Sequence, residues 1–242
     1  MNIRINYGIK TGCNEAFIIN ESKRQELLAN CKDADERART DKLIRPILRG
    51  RDIERNKIHW ANLYVIATHN GYTKTNGQFI QRIDINDYPA LKDWFDNGNW
   101  NKKPQDGNNS ERLRQRTDKG DTFYNLRDCA YMDDFDKRKI IWSDIATEPK
   151  FVEDNNGAIM NNTCYMMIGG PDYLIDYLNS DIIAWYFPRV LATDLGVGSR
   201  YFKQFVEKIP IPSSFENDFY DSFELSKDEI AFISSSVKPK SE

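Results

Sequence analysis

The sequence predicts an α+β domain of mixed, twisted β-sheets with peripheral helices, and three observations carry that expectation. Short runs rich in β-branched and aromatic residues recur along the chain, from Ile3, Ile5 and Tyr7 through Ile140-Ile141-Trp142 to Cys164-Tyr165-Met166-Met167-Ile168. Other segments place apolar residues three and four apart, the spacing of a helix with one buried face. Turn chemistry separates the later runs, at Asp154-Asn155-Asn156-Gly157 and Gly169-Gly170-Pro171. With 242 residues, 40% of them hydrophobic, the chain is long enough to bury a core.

Taken in order, Ile3-Ile5-Tyr7 and Ala16-Phe17-Ile18-Ile19 predict two strands joined by the turn Lys10-Thr11-Gly12-Cys13-Asn14. Residues 21–41 are charged and helix-favouring, with Leu27 and Leu28 as apolar anchors, and predict a surface helix. Leu43 to Leu48 is a third apolar run, interrupted by Pro46 and ended by the basic turn Arg49-Gly50-Arg51-Asp52. Trp60 to Thr68 reads as a buried strand, and Tyr88 to Phe95 as a helix. The Gly/Asn/Lys-rich stretch 97–109 then breaks the pattern and marks a loop or subdomain edge. A short basic helix over 111–118 carries Arg112, Arg114 and Arg116. Four strand-like runs follow between Lys139 and Ile168, then two helices bearing Leu174 and Leu178, and Ile182, Trp185 and Tyr186, with Ser180 placed to cap the junction. LGVGSR (195–200) is a glycine loop before a helix over 201–207 that Pro210 and Pro212 stop. The end of the chain, 213–242, is an acidic, Ser-rich extension with a helix from Lys227 to Ile233.

Composition excludes several classes. No apolar run approaches the roughly 18 residues a spanning helix needs, and Met1 leads into polar sequence without a signal peptide, so a cytoplasmic protein is expected. Cys13, Cys31, Cys129 and Cys164 are scattered, no C-x-x-C occurs, and His59 and His69 are the only histidines. No metal site is expected from that pattern, and no G-x-S-x-G elbow serves a nucleophile. The net charge of −3 hides a gradient: residues 1–128 carry 23 basic against 18 acidic groups, residues 129–242 carry 11 against 19. One face can therefore meet a polyanion while the remainder stays solvated.

Catalytic constellations are weak. Gly196-Val197-Gly198 is a short G-x-G with no strand pattern before it, a poor cradle for a nucleotide or S-adenosylmethionine. No Asn-Pro-Pro-Tyr-like segment is present to hold a flipped base. The rival is a magnesium nuclease on Asp136 with Glu148-Pro149-Lys150, although Pro149 would interrupt the strand presenting its ligands. A third alternative is a protein-interaction module with an acidic tail. The basic turns are more informative: Lys10 to Asn14, Arg45 with Arg49-Gly50-Arg51, Arg112 to Gly120, and Gly198-Ser199-Arg200 each combine a cation with small residues, so that backbone amides and side chains both reach phosphate.

The succession GIKTGCNEAFII (8–19), LIRPILRGRDI (43–53), DYPALKDWF (87–95), GDTFYNLRD (120–128), KIIWSDIATEPKF (139–151), TCYMMI (163–168), YLIDYLNSDIIAWYF (173–187) and RYFKQFVEKIPIP (200–212) resembles the TaqI-like C-terminal specificity domain. That is the target recognition domain of adenine-N6 DNA methyltransferases and of single-chain type IIG restriction-modification enzymes. The resemblance covers about residues 5–212, giving a specificity domain over 1–212, with a division near 97–109, and the extension over 213–242. It implies sequence-specific recognition of double-stranded DNA within bacterial defence, by a chain that does not itself catalyse. S-adenosylmethionine and magnesium would belong to an N-terminal methyltransferase, and nuclease, domain or subunit, with no cofactor in this chain. Phe123-Tyr124 fills the place of a family aromatic. On this reading the DNA-facing residues are Lys10, Thr11, Asn14, Arg45, Arg49, Arg51, Lys119, Tyr124, Arg127, Ser199 and Arg200, with Asp52 holding an arginine in place. Trp142, Trp185, Tyr186 and Phe187 are assigned to packing.

Overall fold

The computed structural model describes residues 3–102, 105, 107–192, 198–213 and 219–237. In chain order come β1 (Arg4–Tyr7), α1 (Asn14–Phe17), β2 (Ile18–Asn20), α2 (Glu21–Ala29), α3 (Ala34–Leu43) and β3 (Ile44–Leu48). Then follow β4 (Ile53–Glu54), β5 (Lys57–Ile58), β6 (Leu63–Ile66), β7 (Tyr72–Thr73), β8 (Phe79–Ile80), α4 (Pro89–Asn97) and α5 (Asn109–Gln115). The second half holds β9 (Lys139–Ser143), β10 (Ile145–Ala146), β11 (Phe151–Asp154), β12 (Ile159–Met160) and β13 (Cys164–Ile168). It closes with α6 (Leu174–Leu178), α7 (Asp181–Tyr186), β14 (Ser199–Arg200), α8 (Lys203–Val206) and α9 (Lys227–Ser236).

Two four-stranded sheets organise the molecule. One has the order β1-β13-β9-β11 and is antiparallel throughout; the other, β12-β3-β6-β2, is mixed because β12 runs parallel to β3. This is the α+β architecture expected. Pro46 is tolerated in a central strand because β12 pairs only with Ile47 and Leu48, so no ladder bond is lost at the proline. The first sheet is buried on both faces along β9, β11 and β13, and its alternation sorts residues between two cores. Ile141, Val152 and Met166 point toward the second sheet and join Phe17, Ile47, Val65 and Phe95. Their neighbours Ile5, Ile140, Trp142, Phe151 and Met167 point the other way and pack with Tyr177, Ile183, Phe187 and Tyr201. Opposite each other on β9 and β11, Lys139 and Asp154 form a fully buried ion pair at 2.6 Å.

Three local expectations are corrected. The strands β1 and β2 are not a hairpin: they lie in different sheets, and the connection contains α1. Residues 21–41 are two helices, because Asp33 accepts the Glu36 amide and starts α3 after α2 has ended. Ser199 and Arg200 form a strand that pairs with β10, so Arg200 does not stand at a helix start. Within 97–109, Trp100 donates from its indole to the Trp94 carbonyl and Asn109 donates to Gly98, fastening this stretch to α4. Beyond residue 212, Phe219, Phe223 and Leu225 pack against the second core, and α9 lies on α7 with Ile233 buried. No helix among the described residues is long and apolar enough to cross a membrane.

Candidate nucleic-acid interface

Strand direction brings the basic turns together. Because β13 is antiparallel to both β1 and β9, those two strands are parallel and end on the same side, at Tyr7 and Ser143. In the second sheet β3 and β12 end side by side at Leu48 and Met160. Backbone bonds sew these ends to one another. Gly8 donates to Cys164, Ile9 to Met160 and Asn161 to Leu48, at 2.8–2.9 Å. Gly50 donates to the Thr163 hydroxyl at 3.0 Å, Asp144 to the Thr163 carbonyl and Tyr201 to the Asp144 carbonyl, both at 2.9 Å. Only glycine fits at position 8, since a Cβ there would stand 1.9 Å from the Asn161 carbonyl oxygen.

On this end the Arg49–Asp52 turn sits beside the Arg200 segment. Arg49 binds Asp52 through two guanidinium nitrogens, at 2.9 and 2.7 Å, and its amide also donates to that carboxylate. The pairing raises the Arg49 pKa and fixes the turn. Asp52 thus holds an arginine, as expected, and the exposed Arg51 stands beside it. Arg200 is exposed and stacks over Phe202 at 5.2 Å, near Asp144, whose carboxyl burial raises above its ordinary range against the pull of Arg200.

A second group forms around the Lys10–Asn14 turn, and its organiser is Arg116, expected from the sequence on a basic helix. Arg116 is 5% exposed and donates to the carbonyls of Thr11, Asp118, Phe123 and Asn125, with its guanidinium over Phe17 at 4.3 Å. Burial lowers its pKa to about 10, so it stays charged at neutral pH. Arg112, half-buried, is paired with the exposed Glu15 at 2.9 Å. Thr11 is buried at 3% exposure; its hydroxyl donates to Asn14 at 2.6 Å and accepts from the Cys13 amide, so it builds the turn instead of facing outward. Gly12 occupies the left-handed region that this turn requires, at φ +66°.

Lys10 and Arg127 line a cleft with Tyr7, His69, Cys129 and Tyr131. Arg127 donates to Asp118 at 3.1 Å and to the Tyr7 hydroxyl at 3.2 Å, and Asp118 raises its pKa. Desolvation depresses His69 to about 4 and pushes the Cys129 thiol up to about 11, leaving both neutral near pH 7. Lys119 is exposed and donates to the Arg116 carbonyl at 3.1 Å.

Besides Thr11, three more expected contact residues are placed elsewhere or turned inward. Arg45 lies four residues before Arg49 on β3, about 13 Å away at ~3.3 Å per residue. It binds Asp136 and the Gly157 carbonyl, both at 2.5 Å. Tyr124 gives its hydroxyl to Asp96 of α4 at 2.7 Å and packs on Phe95 and Phe123. Ser199 is buried in its β10 pairing. Aromatic residues outside the expected contact set stand at this end: Tyr7 against Tyr131, and Tyr165 against Phe202. Their signal was available, since Tyr7 ends an alternating row immediately before a glycine.

The nuclease outline is not assembled. Asp136 is held by Arg45, and Glu148 by Arg55 at 3.3 Å with Lys150 at 4.0 Å; Pro149 precedes β11 and lies outside it. Among the described residues no three His, Cys, Asp or Glu side chains gather as a metal site. Gly198 leads into β14, so the described part of the glycine loop lacks the strand-to-helix turn of a nucleotide cradle; residues 195–197 lie outside the described residues.

Fold and site together define a class: an α+β recognition domain whose loops present cations and aromatic rings at one end of two joined sheets. The family model of the TaqI-like C-terminal specificity domain matches residues 45–211, and the chain belongs to that family. Its fold is similar to part of a solved structure of the Type IIL restriction-modification enzyme MmeI in complex with DNA, with a TM-score of 0.53 and 12% sequence identity. That likeness covers 92% of this chain and 26% of the MmeI chain, so the present sequence spans about a quarter of that enzyme's length.

Proposed function

We propose that this chain reads the sequence of double-stranded DNA as the specificity domain of a restriction-modification enzyme, with Lys10, Arg49, Arg51, Lys119, Arg127 and Arg200 toward the duplex. The observation that carries the reading is the convergence of the Lys10–Asn14, Arg49–Asp52 and Arg200 segments on one end of a fold that belongs to a specificity-domain family. Cations there neutralise phosphates and fix register, while arginine, lysine and asparagine side chains are the types that read base edges. Thr11, Asn14 and Ser199 shape the turns, and Arg45 and Tyr124 brace the scaffold behind them.

Bond making belongs to another part of the enzyme. We assign it to a methyltransferase of the adenine-N6 type, with a nuclease in a type IIG arrangement, in a bacterial cytoplasmic setting; S-adenosylmethionine and magnesium would be bound there. A partner that extrudes adenine needs a second lobe to supply offsetting contacts along the duplex, and this domain has the chemistry to do so.

Fluorescence anisotropy of a labelled duplex, titrated with the full chain in chelator across a salt series, tests the reading. Affinity is expected to fall steeply and linearly on log–log axes, and Arg51→Ala or Arg200→Ala to lower it and reduce the slope by about one. Binding indifferent to salt and to both substitutions would remove this end of the molecule from any DNA interface.

A further inference from the structure

Tyr7 is 37% exposed, whereas Ile5, two residues earlier on the same face of β1, is buried in the second core. The row to which Tyr7 belongs runs across the sheet through Tyr165 to Trp142, which stacks on Tyr165 with centroids 5.7 Å apart. Trp142 is covered, Tyr165 half-covered and Tyr7 open, so an apolar layer emerges from under the helices as a rib of ring faces. Tyr131 meets Tyr7 edge-on at 5.9 Å, and Phe202 extends the rib beyond Tyr165 at 6.2 Å. The Tyr7 ring is held in place, since its hydroxyl accepts from Arg127, and Arg200 covers Phe202 at the far end.

Guanidinium groups at both ends and ring faces between them match one ligand chemistry: phosphates on either side of a base that has left the helical stack. A paired base offers its edges only, whereas an unpaired base offers a face on which an aromatic side chain can stack. We propose that Tyr7 stacks on an unpaired base, so that the domain favours DNA in which one base is out of the helix over a perfect duplex. This rests on the DNA reading above and names a residue and a DNA state that reading leaves open.

The test compares two labelled duplexes of one sequence, fully paired and with a single central unpaired base, titrated with the full chain in chelator at low salt. The wild-type chain is expected to bind the second on the order of tenfold more tightly. Tyr7→Ala brings the ratio of the two affinities to one, Tyr7→Phe keeps the preference, and Tyr7→Leu, which retains apolar cover without a π face, loses it. A preference that survives both Tyr7→Ala and Tyr7→Leu overturns the proposal, as does equal wild-type affinity for the two duplexes with DNA binding otherwise intact. Failure of the wild-type chain to bind either duplex overturns the DNA reading itself, and this proposal with it.

Discussion

Single residues here are read correctly only when burial is known. Arg116 and Arg51 are both arginines in basic stretches, yet one is a buried fastener for four carbonyls and the other an exposed cation. Arg116→Lys keeps the charge but cannot match the planar fork, leaving carbonyls unpaired. It should cost about 1–3 kcal/mol in urea unfolding, far more than Arg51→Ala; equal effects would show that Arg116 is not the organiser. His69 gives a pH signature. Burial sets its folded-state pKa at about 4, below the unfolded 6.5, so the folded state binds fewer protons in that window. Its contribution is present above pH 6.5 and is lost as pH falls toward 4. Partial solvent access brings the full linkage down to roughly 1–2 kcal/mol. Subtracting the pH 4.5-to-7 stability change of His69→Gln from that of the wild type should leave this difference, and no difference would place His69 in solvent.

Elements are joined by a few polar links whose rupture is testable. Glu36 on α3 is fully buried and accepts the Ala90 amide at the start of α4 and the Lys32 amide, tying three segments with one carboxylate. Glu36→Ala leaves the buried Ala90 amide unpaired and removes the acceptor of the more exposed Lys32 amide, and is expected to destabilise by about 1–3 kcal/mol in chemical denaturation. The Lys139–Asp154 pair links β9 to β11 within the core, where Asp154 also accepts the Asn156 and Ala158 amides at 3.0 Å. Asp154→Ala strands a buried ammonium and should cost about 3–5 kcal/mol, whereas Arg138→Ala, which breaks surface pairs with Glu153 and Asp172, should cost under ~1 kcal/mol. Similar losses from the two changes would contradict the burial described.

At the scale of the whole molecule, the junction of the two sheets brings the segments of the candidate interface together. Gly8→Ala drives a methyl group into the Asn161 carbonyl and must push the strand ends apart. A loss of about 1–3 kcal/mol or more is expected in thermal or urea unfolding, together with weaker DNA binding by the protein that remains folded. Gly77→Ala, where nothing lies within 4 Å of the added carbon, should leave DNA affinity unchanged despite its strained φ of +86°. If both variants bind DNA like the wild type, the junction does not shape the interface.

Periodicity made most strands and helices legible from the chain alone, because alternation and helical spacing are local properties: β9, β11 and β13, α4, and the Ser180 cap of α7 all follow from neighbours in sequence. The order of motifs likewise carried the family. Partners distant in sequence were decided only by tertiary structure: that β1 and β2 part company, that Arg45 faces Asp136, that Arg116 is internal and that Tyr7 is not. Strand pairing is set by long-range burial of two faces at once, and a side chain's charge or ring says nothing of which loop from a hundred residues away will close over it.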